Sequence, residues 1–355
     1  MAPALFLFFF APVSAEYLIG YDDIIGDAAA LIFGLLIFGP LYGAPAVLIR
    51  ETTRRAGRGW PSMLLLALAF GLVQAGLIDQ SLFNPNYRAI PYWDEMREPT
   101  LIPAIGVSAS MAFEFLKGHV FGSICAPIAL AEALVPQRST RPWLGPVGLA
   151  VMAVLWLLAA WLVLMDTLAQ EAFTASPAQL AATTILVVVL VVVAFRLPPT
   201  AGRPVESGPV PAPLVVGVLS LGLLDMGTVL GALGLEPFGW PATGIALGAV
   251  VVWLVAVGRW SRRRGWDGRH VLAAAAGSLL GVAGTAFVVE PLGDVPAMAK
   301  YVTNAVLLAI VVGLVAWAAR AQRGHRRTTR AGTSPFQAPG VGGDLTGGEE
   351  AGEQR

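Results

Sequence analysis

Apolar stretches long enough to cross a bilayer recur along almost the whole of this 355-residue chain, each closed by a short polar segment. A hydrocarbon core of roughly 30 Å needs about 20 apolar residues in helical form. By that measure spans are predicted over residues 28–49, 60–78, 118–135, 143–165, 178–195, 213–235, 238–258, 270–289 and 300–319. Residues 4–19 are apolar and aromatic but short, with Pro12 and Glu16 inside them. Val13-Ser14-Ala15 is similar to a signal-peptidase site, yet the positively charged region that precedes such a site is missing, so an uncleaved first span is expected. Residues 101–135 would make one helix of about 50 Å, longer than a bilayer is thick. They divide into an interfacial or broken piece over 101–116 and a span from 118. The fold class is therefore all-α: a polytopic membrane helix bundle of about ten transmembrane helices, or nine if the first stretch is a cleaved signal.

The polar segments set the organisation. Residues 1–195 form an N-terminal membrane bundle with an outer loop over 79–100. Residues 196–212 are a Pro/Gly-rich cytoplasmic linker, and 213–320 a C-terminal membrane bundle. Residues 321–355, rich in Gly, Thr, Gln and Glu, are expected to be a disordered cytoplasmic tail.

Composition agrees with the pattern. Only 13% of residues are charged and 56% are hydrophobic, against about 25% charged in soluble domains. Formal net charge is zero, so no nucleic acid or other whole-protein electrostatic partner is implied. The single Cys125 excludes an internal disulfide. Arg50, Arg54, Arg55, Arg58, Arg138, Arg141, Arg196, Arg203, Arg259, Arg262, Arg263, Arg264 and Arg269 fall on alternate loops, whereas the opposite loops hold only Arg88 and Arg97. The positive-inside rule then places both termini in the cytoplasm. Two lysines among twenty-three basic residues suggest a high-GC bacterial genome, hence a bacterial plasma membrane.

Candidate chemistry lies where polar groups meet apolar surroundings. Asp225 sits near the middle of the 213–235 span, where an ionised carboxylate costs about 2.5–3.5 kcal/mol. It is read either as a proton or cation site or as a protonated carboxyl bonded to a backbone carbonyl or to Thr228. Glu114 and Lys117 share a helix face and can pair, while His119 is either a proton handler or a donor to a nearby carbonyl; Glu114 is also a ligand candidate, expected with Gln74 and His119 in one outward-facing polar site. Glu132 lies within a turn of the cytoplasmic end and is read either as a ligand or proton-handling group or as a partner of Arg138 or Arg141. Gln74 is read as a helix-linking hydrogen-bonder or a ligand group. Asp79, Asn84 and Asn86 are expected at or beyond the outer boundary, in water. Gly39-Pro40-Leu41-Tyr42-Gly43-Ala44-Pro45 could unwind the second span. No metal-binding, phosphate-binding or nucleophile motif occurs, so no cofactor and no metal is expected.

The 39–45 stretch, with Leu48-Ile49-Arg50-Glu51 after it, resembles a family of uncharacterised bacterial multipass membrane proteins. Gln80-Ser81-Leu82-Phe83-Asn84-Pro85-Asn86-Tyr87, Gly118-His119, Ser123-Ile124, Pro127, Glu132, Pro136 and Trp143-Leu144-Gly145 carry the same resemblance, over about residues 16–149. That family is more distantly similar to CAAX-protease-like intramembrane proteins, in which a Glu-Glu pair on one helix faces a His on another. Here Gln74-Ala75 stands where the acid pair would be, and neither can take a proton from water. The leading expectation is a non-enzymatic transporter-like or accessory membrane protein, with the lipid bilayer and a small-molecule or ion substrate as partners. The alternatives are a degenerate intramembrane hydrolase relative and a scaffold acting through its arginine-rich cytoplasmic loop and tail. Oligomeric state is not legible.

Overall fold

The protein is described from a computed structural model covering residues 1–199, 206–235 and 238–332, with side chains described as far as 324. Prolines and side-chain caps start the helices where the apolar runs begin. α1 spans Ala2–Tyr17 and α2 spans Ala28–Arg55. Asp27 caps α2, accepting from the backbone N–H groups of Ala29 (2.9 Å) and Ala30 (3.0 Å). α3 is Trp60–Ile78, and α4 covers residues 109–134. α5 (Pro146–Gln170) and α6 (Pro177–Arg196) both open on proline, and Ser176 and Gln179 form a capping box at the start of α6. α7 (Pro213–Leu224) and α8 (Met226–Ala232) are bent by 65° at Asp225. α9 is Trp240–Trp260, α10 is Gly268–Thr285 and α11 is Ala297–Gly332.

Six of these helices are long and apolar enough to cross a membrane by length and composition, and seven if α7 and α8 count as one span. The protein is thus an all-α multipass membrane protein. α1, α4 and α10 fall outside that set of six or seven, so the structure alone gives fewer spans than the ten expected. α11 also runs through the first twelve residues of the expected tail, and residues 333–355 lie outside the described ones. Of the 196–212 linker, 200–205 lie outside them too; Glu206 pairs its backbone with Arg262 and Arg264.

The core is asymmetric. α1, α2, α3 and α4 bury Leu7, Val47, Met63, Ile124 and Ile128 completely. α5 and α6 expose runs such as Val154, Leu157, Leu158 and Trp161, the surface that acyl chains cover in a membrane protein. α7 and α10 pack at small residues: a Cβ on Gly277 would stand 2.2 Å from the carbonyl oxygen of Gly217.

The segment joining α3 to α4 is folded. It holds a short helix, Trp93–Arg97, and a hairpin pairing Leu101–Ile102 with Val107–Ser108. Asn84 is buried rather than hydrated. It donates to Glu171 Oε2 at 2.9 Å, takes the backbone N–H of Asn86 on Oδ1, and its carbonyl accepts from the Trp93 indole at 3.0 Å. Gln80, held at φ 55°, is buried as well and accepts from the Ala175 N–H at 2.7 Å. These bonds lay the loop over one end of the bundle as a roof.

Candidate functional site

Beneath that roof, four helices each contain a π-helical stretch, and each stretch contributes one polar side chain to the same buried place. They are Val13–Tyr17 in α1 with Glu16, Gly39–Gly43 in α2 with Tyr42, Gln74–Ile78 in α3 with Gln74, and Gly118–Cys125 in α4 with His119. A π-turn closes its hydrogen bond over five residues, as the Asp79 N–H does to the Gln74 carbonyl at 3.0 Å. Proline explains two of them. Pro45 and Pro127 cannot donate to the carbonyl four residues back and their rings crowd it; those carbonyls belong to Leu41 and Ser123, inside the widened stretches. The 39–45 segment is therefore widened rather than unwound.

The His119 ring stacks on Tyr42 with centroids 6.0 Å apart and meets Phe70 edge-on at 5.8 Å. Its Nδ1 lies 2.7 Å from the Phe115 carbonyl oxygen. A carbonyl only accepts, which assigns the hydrogen to Nδ1 and leaves Nε2 of the neutral ring a bare acceptor. That Nε2 is buried and has no partner. Glu16 is buried within electrostatic reach of His119, takes a hydrogen bond from the Tyr21 hydroxyl at 3.1 Å and faces the Tyr42 hydroxyl. Ser14 donates to the Gly122 carbonyl at 2.8 Å, tying the π-stretch of α1 to that of α4.

On α3, Gln74 donates to Asp79 Oδ2 at 3.3 Å, while its own Oε1 is buried without a partner. Asp79 Oδ1 accepts from the Ser81 N–H at 2.9 Å. Burial beneath the roof raises the Asp79 carboxyl above the ordinary carboxylate range, against the lowering effect of the Ser81 and Gln74 bonds. Tyr21 is pushed well up, first by the Glu16 charge and then by burial; Tyr87 is pushed up by burial and then by Asp79. At the rim Arg88 reaches Asp22 at 3.7 Å.

Phe70 and Gly71, about one turn before Gln74, lie against His119, which sets Gln74 and His119 in the same part of the bundle, but Glu114 is not with them. It holds Lys117 at 2.6 Å, and both lie within electrostatic reach of Asp225 on another face of α4. Asp225 occupies the α7–α8 bend with its Oδ2 buried and unpartnered against Gly281. Thr228 does not serve it, since that hydroxyl pairs with Thr285 at 3.2 Å.

Glu132 lies about 20 Å further along α4 from His119. Its partners are not the expected Arg138 and Arg141 side chains. Arg50 Nε reaches it at 3.1 Å and Arg54 grips it through two nitrogens at 2.8 and 2.6 Å. Arg50 also pairs with Glu51 at 2.5 Å, stacks over the Trp143 ring at 3.5 Å and donates to the Ser139 carbonyl at 2.6 Å. Glu51 accepts the N–H groups of Trp143 and Leu144. Arg50 and Glu51 are wholly buried, and every charge in this knot is satisfied.

Sequence reasoning missed Glu16, Tyr42 and Asp79 as members of the roofed site. The signals were present in part: an acid at the end of an apolar stretch, and a Gly/Pro segment around Tyr42. Among the described residues no group of three or more His, Cys, Asp or Glu side chains is placed to hold a metal ion.

The model of an uncharacterised membrane protein family matches residues 5–320, most of the chain. No curated protein and no solved structure matches it.

Proposed function

Since the chain belongs to this uncharacterised membrane protein family, its role is read from its own site, and we propose a non-enzymatic, transporter-like function centred on Glu16, Tyr42, Gln74 and His119. One observation carries the reading: two buried acceptors, Gln74 Oε1 and His119 Nε2, stand unpartnered where four π-stretches meet. A buried polar atom without a partner costs about 1–3 kcal/mol, and π-stretches concentrate at functional sites. The contrast with the Arg50–Glu51–Glu132 knot at the other end of the same helices, where every charge is paired, supports placing the function at the roofed site.

In this reading α1, α4 and α10 join the six or seven apolar helices to make about ten spans. The arginine distribution supports a bacterial plasma membrane, cytoplasmic termini and an outward-facing roof. The hydrolase and scaffold readings have no comparable support: the Gln74-Ala75 position still lacks an acid pair, and no carboxylate stands at hydrogen-bond distance from His119 Nε2.

The test is access. In a Cys125→Ser background, Gln74→Cys in proteoliposomes of known orientation should react with a membrane-impermeant thiol reagent from the roofed face. Absence of labelling from either face would make the site a static part of the core and remove the transport reading.

A further inference from the structure

We propose that the roofed site takes a compact organic cation bearing N–H donors, of the protonated-amine or guanidinium class. The inference deepens the transport-like reading and rests on it.

The unsatisfied chemistry at the site is all of one kind. Gln74 Oε1 is an acceptor by constitution, and His119 Nε2 is an acceptor because Nδ1 is committed to Phe115. The two acids, Glu16 and Asp79, accept as well when ionised, the form that a bound cation favours. The hydroxyls of Tyr21 and Tyr42 face Glu16, and Tyr87 lies within electrostatic reach of both acids. Among the described residues no lysine or arginine side chain pairs with the two acids; Arg88, at the rim, is turned to Asp22. Gln74 is only 2% exposed, so its free oxygen is shielded from bulk solvent.

Such a set binds a ligand that brings hydrogens and positive charge. An anion would meet two carboxylates and two lone pairs. An apolar molecule would leave the orphaned acceptors as they are. An ammonium or guanidinium group supplies the hydrogens that Gln74 Oε1 and His119 Nε2 lack, is neutralised by Glu16, and lies beside the Tyr42 and Phe70 rings that flank His119. The burial of both acceptor atoms beneath the roof favours a small cation.

The experiment uses the full-length protein in detergent, with methylammonium as probe and tetramethylammonium and sodium chlorides as controls. Methylammonium should raise the unfolding temperature saturably, while tetramethylammonium, which has charge but no N–H, should not. Gln74→Leu should weaken the methylammonium response about tenfold, and Gln74→Glu, which adds a charged acceptor, should strengthen it by a similar factor. Glu16→Gln should abolish it. Equal responses to all three salts, or an unchanged response in both Gln74 variants, would overturn the proposal. At concentrations raised about tenfold to offset the lost Gln74 acceptor, methylammonium should also slow thiol labelling of Gln74→Cys. Labelling that proceeds without protection defeats the cation assignment and leaves the transport reading standing. No labelling at all defeats both.

Discussion

Arg50 Nε donates to Glu132 Oε1 at 3.1 Å across 82 residues of sequence, and the Arg50 side chain is fully enclosed. Removing one member of a buried pair strands the other charge, which costs about 3–5 kcal/mol. Glu132→Ala should therefore lower stability by roughly that amount in denaturant unfolding in detergent. Arg141→Ala should stay within about 0.5 kcal/mol of wild type. Arg138→Ala should do the same, because Arg138 offers Arg50 and Trp143 only its backbone carbonyl.

Asp79 gives the roof a pH dependence of definite sign. Its folded pKa is raised by burial, so the protonated carboxyl suits the folded state better than the ionised one. The stability it contributes is complete below the ordinary carboxylate value near 4 and is lost as pH rises through the raised folded value. Asp79→Asn keeps the bond from Ser81 and removes the titration. The melting temperature of the variant relative to wild type should be higher at about pH 8 than at about pH 4; the opposite slope would refute the assignment.

Two glycine contacts separate hard from soft neighbours. A Cβ on Gly43 would lie 1.9 Å from the Phe8 carbonyl oxygen, so Gly43→Ala has to move the backbone of α1. A Cβ on Gly281 would lie 1.6 Å from Asp225 Oδ2, the end of a side chain. Both should destabilise by about 1–3 kcal/mol. Only the second should be rescued by Asp225→Ala, which a double-mutant cycle on thermal unfolding would read directly.

Glu171 fastens the roof through Asn84 Nδ2 and the Arg88 N–H. Glu171→Ala should cost about 1–3 kcal/mol of local stability by stranding buried Asn84. Chymotrypsin should then cut near Tyr87, Tyr92 and Trp93 several-fold faster, with cleavage elsewhere unchanged.

Hydropathy alone located the apolar helices, because lipid exposure leaves a long signal: α5 and α6 fully bury only Ala159, Thr183 and Ala194. Shorter-range events left little trace. The bend at Asp225 occurs without a proline at the break, so the sequence showed an acid within one span and not the α7–α8 corner. The partners of Glu132 lie some eighty residues upstream, and nearest arginines in sequence were a poor guide to nearest arginines in space. Asn84 looked hydrated because loops usually are, yet here the loop has its own packed layer of Leu82, Phe83, Ala75 and Ala175. Gln74 and His119 were legible as polar residues within apolar helices, but what joins them is backbone geometry, to which side-chain identity is nearly blind.

Each π-turn holds one residue more than the α-helix that would otherwise occupy its length, so the roofed site rests on four surplus residues scattered over the first 125 positions. Deleting one would restore regular pitch over the same length, leaving the residues beyond it in place while removing the widened turn that presents its side chain to the site. Such a deletion would leave hydropathy, charge and helix content almost untouched. Two chains of this kind, indistinguishable by span pattern, could thus differ in whether the site exists at all, and the discriminating mark between them would be a gap of a single position.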